Sequence, residues 1–366
     1  MRVLVDACAV RVGGGLSYAR SQLAALEKVA PDLELEVLAS PWNARELASS
    51  LRSRVKTLPA FDVPSRFLLE QLVLSSRRAD VVYCPNNFGP LVRIRAVPVV
   101  LTLQNPNYVG RGRRLPQNRG ALRRAKIALS RLSMARADRL VVISESLRDE
   151  LAVDSPRLAL EAVVLQSGAP GWEGPAHPPD GVPLPRRFFL SLANDYPHKR
   201  LDDCVRAWVA AHRLREGGDG EVPGLVMVGE IAPARRAALR SLVPAPLRRR
   251  LVFTGSLADR AAVRWLLENA VAAVSTSELE AHPLTPAEAG SVGCPIMLSD
   301  IPPHREVAGE HAEYFRVGDV ETLGELMSNR FARRPRRWSW PVTWEENALG
   351  LARVLREVAD GSRRVR

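Results

Sequence analysis

The residues in this chain best suited to chemistry are two glutamates eight positions apart, Glu280 and Glu288, in the stretch "STSELEAHPLTPAEAGSVGCP". An apolar run ends at Ser275, and a helical pattern begins around a Pro-Leu-Thr-Pro turn between the two carboxylates. Thr285-Pro286-Ala287-Glu288 fits a capping box, with Thr285 at the cap, Pro286 at the first helical position and Glu288 bonding back to the Thr285 amide. The same local geometry leaves free amides and the positive end of a helix dipole at a strand end, which suits an anion. Glu280, on the loop upstream, would then accept hydrogen bonds from hydroxyls attached to that anion. From the residues alone, cap and site stand level.

Two further stretches carry candidate chemistry. After the first strand, "RVGGGLSYARSQLAAL" puts Gly13, Gly14 and Gly15 between strand and helix. Missing side chains there let backbone amides approach a phosphate or sugar, although a plain tight turn needs the same residues. Tyr18 stands where a dinucleotide fingerprint needs its third glycine, and no Gly-Lys-Ser/Thr follows. In "SLANDYPHKRLDD", Lys199 is one of four lysines in a chain that otherwise uses arginine. Its ammonium suits a diphosphate, with Arg200 beside it as a possible fork, against the plainer reading of a solvated cation at a helix start.

The elements that must position these residues alternate along the whole chain. Expected strands are Val3–Val5, Leu35–Leu38, Val81–Tyr83, Val97–Leu101 and Leu140–Ile143, then Phe188–Leu192, Leu225–Val228, Leu251–Thr254, Val271–Val274 and Pro295–Leu298. They are apolar throughout, as parallel strands covered on both faces are, and helical patterns separate them. Between the two sets, ten of the eighteen residues from Gly168 to Pro185 are Gly or Pro. The expected organisation is an N-terminal Rossmann-like domain over 1–168, a linker over 169–186, a C-terminal Rossmann-like domain over 187–340 and a closing helix with a basic tail over 341–366. The fold class is α/β, two doubly wound domains facing a central cleft where ligands meet the C-terminal strand ends. The closing helix is expected to pack back across the domains.

Composition narrows the classes. With 366 residues and 46% hydrophobic residues the chain can bury a core. The four cysteines are scattered and read as reduced, buried thiols rather than metal ligands. No apolar run reaches membrane-spanning length, and the chain opens directly on a strand, so a cytoplasmic protein is expected. The net charge of +12 rests on arginine, read as the codon bias of a GC-rich bacterial genome. Ten basic residues and one acid lie between Arg111 and Arg139. That segment is either a solvated helix or a surface for weak peripheral contact with the inner face of a membrane or with an anionic acceptor. No aromatic residues punctuate it for base stacking, so nucleic acid is not an expected partner.

Taken in order, these segments resemble the retaining glycosyltransferases of family 4, the glycosyl transferases group 1, which have the GT-B fold. The matching pieces are "GGGLSYARSQL", "ADRLVVISESLRDEL", "KRLDDCVRAW", "GLVMVG", "LVFTGSL", "PHREVAGEHAEYF" and the E-x7-E signature, Glu280 to Glu288. The resemblance implies a UDP- or GDP-linked sugar donor as substrate and no resident cofactor; no Asp-x-Asp stands at a strand end, Asp202-Asp203 beginning a helix, so no metal is expected. It implies that Glu288 bonds the donor ribose and Glu280 lies near the donor sugar. Leu284 and Thr285 would offer backbone amides to the sugar-phosphate, Lys199 would bind the diphosphate, and Gly14 and Gly15 would form the glycine loop. Gln104 stands where the family often has a histidine, and Asn194 where many members have an arginine, for which Arg200 is the expected substitute. His282, in an unusual Glu-Ala-His-Pro stretch, is read as a donor or acceptor contact or as a solvated loop residue. The acceptor, a small molecule, glycan or lipid-linked sugar, is expected near Gln104, Asn105 and Tyr108. A sugar-nucleotide epimerase and a non-catalytic sugar-nucleotide binder share enough of these features to remain as rivals.

Overall fold

The computed structural model describes residues 1–10, 14–59, 78–91, 97–169, 171–172, 174–215, 222–328 and 337–364; Gly13 lies outside them. The chain forms two compact units, Met1–Gly168 with Val342–Arg366, and Ala169–Pro341.

The first unit holds a parallel sheet of β1 (Arg2–Asp6), β2 (Glu34–Ala39), β3 (Arg54–Thr57), β4 (Val81–Cys84), β5 (Val99–Leu103), β6 (Arg139–Val142) and β7 (Val163–Val164). Their spatial order is β3-β2-β1-β4-β5-β6-β7. The expected strands are present with ends shifted by one or two residues. β3 and β7 were not expected, because Arg54 and Lys56 break the apolar run of the first and the second is only two residues long. Among the described residues both are edge strands, with a strand neighbour on one side alone and less of the burial that makes a strand legible. Helices α1 (Gly14–Val29), α2 (Ala44–Ser50), α3 (Ala121–Arg136), α4 (Glu145–Asp154) and α5 (Pro156–Glu161) flank this sheet.

The second unit has β8 (Phe188–Leu192), β9 (Gly224–Val228), β10 (Leu251–Gly255), β11 (Ala272–Ser275), β12 (Ile296–Ser299) and β13 (Glu313–Phe315), all parallel, in the order β10-β9-β8-β11-β12-β13. The chain builds outward from β8 to β10, then crosses back and builds the other way from β11. The strand order therefore reverses between β8 and β11. Its helices are α6 (Leu201–Leu214), α7 (Pro233–Ser241), α8 (Arg260–Asn269), α9 (Leu284–Ser291), α10 (Pro302–Ala308) and α11 (Val320–Ser328). One face of the sheet packs Trp208, Val205 and Leu323 over Phe189 and Leu225; the other packs Leu266, Leu267 and Ala289 over Leu190 and Ile296.

The last helix, α12 (Trp344–Arg364), returns to the first unit. Its Ala348, Leu351, Ala352 and Leu355 join the core formed with Val3, Leu23 and Leu26. A buried polar network fixes its register. Gln22 Nε2 donates to Asn347 Oδ1 at 2.8 Å and to the Tyr18 hydroxyl at 2.7 Å. Tyr83 bonds Gln22 Oε1 and lies 2.9 Å from the Thr102 hydroxyl. Asn347 Nδ2 serves the carbonyls of Gln166, at 2.8 Å, and Leu165, at 3.1 Å. Such a network tolerates no register but its own, because a slipped helix would bury these groups unpaired. Asn347→Leu is therefore expected to cost about 1–3 kcal/mol in denaturant unfolding, the penalty for leaving a buried polar group unserved. Glu345→Ala, which removes the exposed pair with Lys28, should cost less than about 1 kcal/mol.

Candidate functional site

The point where the strand order reverses is where an open parallel sheet offers two adjacent loops with an opening between them. In the second unit those loops follow β8 and β11, and they carry Lys199 and Glu280. Lys199 ends a short 3-10 turn, Pro197–Lys199, and Arg200 follows in the left-handed region at φ 50°. Thr276 Oγ1 donates to the carbonyls of Lys199, at 2.8 Å, and Arg200, at 3.1 Å; the Glu278 amide donates to the His198 carbonyl at 2.8 Å. The loops are thus sewn together through backbone groups, and the charged side chains stand where the stitching puts them.

Lys199 Nζ lies 2.6 Å from Glu280 Oε1, both side chains mostly shielded from water. Burial alone would push the Glu280 carboxyl up, but the Lys199 ammonium, with hydrogen bonds from Lys199 and Ser277, outweighs it and holds the group below its usual range. Glu280 is therefore an ionised acceptor at neutral pH rather than an acid. Behind it, fully buried His304 donates Nδ1–H to the Ser299 carbonyl at 2.7 Å, which leaves Nε2 as an acceptor 3.4 Å from Ser275 Oγ. Burial pulls His304 down and keeps it neutral, and burial with the Lys199 charge takes His198 down to about 4.

The capping-box reading of Glu288 is corrected. Helix α9 begins at Leu284, with Pro283 at the cap position and no side-chain cap, so Thr285 lies inside the first turn. The Glu288 side chain is nearly buried and its Oε1 meets Arg260 Nη2 at 2.5 Å. A shielded carboxylate gains more from a guanidinium than from a neutral amide of its own helix. Arg260 also lies over the Trp172 ring, 4.8 Å from its centroid, and Trp172 Nε1 donates to Ser291 Oγ at 2.8 Å. Trp172 thus docks the Gly- and Pro-rich stretch onto α9. Neither Arg260 nor Trp172 was legible as a site residue: one is an arginine among many, and the other sits in a stretch that reads as linker.

The other expected residues fall as follows. Asn194 is spent on the loop, its Oδ1 accepting from the Glu230 amide at 2.8 Å. The Arg200 guanidinium pairs with Asp203 at 2.6 Å and Glu278 at 3.2 Å. His282 sets its ring edge-on to Trp340 at 5.2 Å, and its buried Nδ1 has no hydrogen-bond partner among the described residues. Burial takes this imidazole down to about 4. Two residues before Trp340 in sequence, Trp338 lies flat on His311 and occupies the space beside Gly290, where an added Cβ would come within 2.3 Å of the indole. Among the described residues no group of three or more His, Cys, Asp or Glu could hold a metal ion. Asp202 and Asp203 are taken by Arg235 and Arg200.

In the first unit the structure brings Gln104, Asn105, Tyr108 and Gly15 together around the ends of β4 and β5. Asn87, itself at φ 48°, accepts from the amides of Gln104 and Asn105 through one side-chain oxygen at 2.8 Å each. Gln104 Nε2 bonds the Pro85 carbonyl, and its Oε1 lies 3.6 Å from where a Cβ on Gly15 would be. Beside Gly14 that space is open. Tyr108 is buried edge-on against Phe88 at 5.3 Å. In the basic segment that follows, Arg113 makes a two-pronged contact with Asp154 at 2.5 and 2.6 Å, Arg131 adds a contact at 3.3 Å, and Arg111 pairs with Glu150 at 2.5 Å.

Two family models match the chain, the glycosyl transferase 4-like domain over residues 13–168 and the glycosyl transferases group 1 over residues 186–331. Among solved structures, HepE of Anabaena in complex with UDP and glucose aligns with TM-score 0.68 and 15% identity over 100% of this chain and 99% of that one. WaaG, a glycosyltransferase involved in lipopolysaccharide biosynthesis, aligns at 0.66 and 16% over 98% of both chains. Sucrose-phosphate synthase from Thermosynechococcus elongatus aligns at 0.66 and 14% over 99% of this chain and 100% of that one. Curated proteins give no significant match to the sequence. With its glycosyl transferase 4-like first half and group 1 second half, the chain belongs to the family 4 type of glycosyltransferases and has their GT-B fold.

Proposed function

We propose that this glycosyltransferase moves a sugar from a UDP- or GDP-linked donor to its acceptor with retention at the anomeric carbon and without a metal ion. The observation that carries the reading is the ionised Glu280 held against Lys199 at the sheet's switch point, beside the uncapped start of the helix that bears Glu288. An entering diphosphate finds the Lys199 ammonium and the first-turn amides of α9, at Leu284 and beyond, already oriented. Glu280 accepts hydrogen bonds from sugar hydroxyls, and Glu288 from the ribose. The likeness to the retaining family supports retention: with Glu280 tied to Lys199 instead of serving as a covalent nucleophile, the acceptor attacks from the face the diphosphate leaves, whose oxygen takes the acceptor proton. The acceptor, a cell-envelope glycan or lipid or a secondary metabolite, is assigned to Gln104, Asn105 and Tyr108 of the first unit, with Gly14 and Gly15 leaving backbone open to an anionic group.

The outer face of α3 favours an acceptor at a membrane surface. Leu122, Leu129 and Leu132 are 71%, 39% and 40% exposed, at spacings that put them on one side of the helix, with Lys126 flanking them and Arg123 and Arg124 further round the same exposed turns. Weak peripheral contact with anionic lipid needs that combination. Among the described residues no helix is long and apolar enough to cross a membrane.

Four measurements test these assignments. UDP or GDP at a hundred times its dissociation constant should stabilise the protein by about 2.7 kcal/mol; no thermal shift with either at millimolar concentration would remove the donor reading. Glu288→Gln should weaken that nucleotide by about 1.5–3 kcal/mol, the worth of a hydrogen bond to a charged group, beyond any ligand-free stability lost with the charged Arg260 contact, which the melting temperature without nucleotide reads separately. Turnover should survive EDTA, with product detected only when acceptor is present; conversion of the donor alone would favour an epimerase, and full loss restored by magnesium would overturn the metal-free reading. For α3, sedimentation with phosphatidylglycerol vesicles should exceed that with phosphatidylcholine and fall in Leu129→Glu.

A further inference from the structure

The Arg260–Trp172 pair points beyond the sugar and phosphate. Resting on the donor reading above, we propose that Arg260 reads the nucleobase and selects the base that carries a carbonyl where its counterpart carries an amino group, O4 of uracil over N4 of cytosine or O6 of guanine over N6 of adenine. Helix α9 lays out the order of the ligand. Its uncapped start at Leu284 takes the diphosphate, and Glu288, about one turn (~5.4 Å) further on, takes the ribose. Ser291 stands most of a turn beyond Glu288, donates to the Glu288 carbonyl at 2.7 Å, and receives the Trp172 indole N–H at 2.8 Å. Trp172 and Arg260 therefore lie on the side of the ribose carboxylate away from the diphosphate, where a nucleoside places its base.

Arg260 is held as a reading group rather than left as a loose surface arginine. It is the first residue of α8, whose start is capped by Asp259 Oδ1 accepting from the Ala261 amide at 2.9 Å. Its guanidinium is clamped between the Glu288 carboxylate at 2.5 Å and the face of Trp172. The side chain stays 43% exposed, and one of its five N–H donors meets Glu288. A guanidinium donates and never accepts. Facing it, O4 of uracil or O6 of guanine gains a bond, whereas the amino group of cytosine or adenine brings N–H against N–H. A site built around a hydrogen bond rejects the analogue that leaves its donor unpaired far more strongly than a shape mismatch alone does.

A bare ion pair that only steadies Glu288 would act on every nucleotide alike, because the ribose is common to all, so the ratio between bases isolates the proposal. The test is calorimetric titration of the full chain with UDP, CDP, GDP and ADP. In the ring size the protein binds, the keto nucleotide should bind at least tenfold more tightly than its amino counterpart. Arg260→Ala should bring that ratio below threefold and Arg260→Lys should leave it intermediate, both with thermal unfolding checked. Lys199→Ala should weaken both members of the pair together and leave the ratio intact. A wild-type protein indifferent to the base, or an Arg260→Ala variant that keeps the full ratio, overturns the proposal while leaving the donor reading in place. Failure of all four nucleotides to bind overturns the donor reading itself, and this proposal with it.

Discussion

The ion pair between Lys199 and Glu280 sets the terms for the second unit. Burying either charge alone costs several kcal/mol, and breaking such a pair from one side leaves that cost uncompensated. The surroundings are arranged around keeping both. Thr276 and the Glu278 amide bind the two loops by backbone groups, Ser277 supplies a further hydrogen bond to the carboxylate, and His304 is kept neutral behind it. Parallel topology explains why the pair falls here: only where strand order reverses do two loops at the C-terminal edge part instead of closing over one another.

The interior of both sheets was legible because strands covered on both faces must be apolar throughout, and Phe188–Leu192 is read to the residue. Edge strands such as Glu313–Phe315 escape that rule, since one flank is free and charge is tolerated there. Lys199 and Glu280 were each visible as candidate residues, but their contact spans 81 positions and depends on which strands are neighbours, which no local pattern states. The Thr-Pro-x-Glu pattern misled for a related reason. It describes a helix end in isolation, whereas the real competitor for the Glu288 carboxylate arrives from α8, 28 positions away in sequence.

Charge was the least transparent quantity. The excess of arginine between Arg111 and Arg139 suggests an unopposed basic surface, yet Asp154 and Glu150 of α4 draw four of these arginines into pairs. The almost buried Asp154 carboxylate stays ionised below its usual range, with Arg113 and the Gly110 amide overcoming the effect of burial. Composition counts such residues as surface charge. Packing turns part of them into fasteners that hold the turns after β5 against α4.

Gly290 and Trp338 share one volume on the helix that bears Glu288. A Cβ at Gly290 would strike a rigid indole instead of the movable end of a long side chain, so the helix has no room for alanine while the ring is there. Trp338 is in turn held flat on His311. Each position thus sets the permitted residue at the other. Over evolutionary time the two should drift as a linked pair, with a larger residue at 290 appearing only in lineages that have first replaced the tryptophan by something smaller.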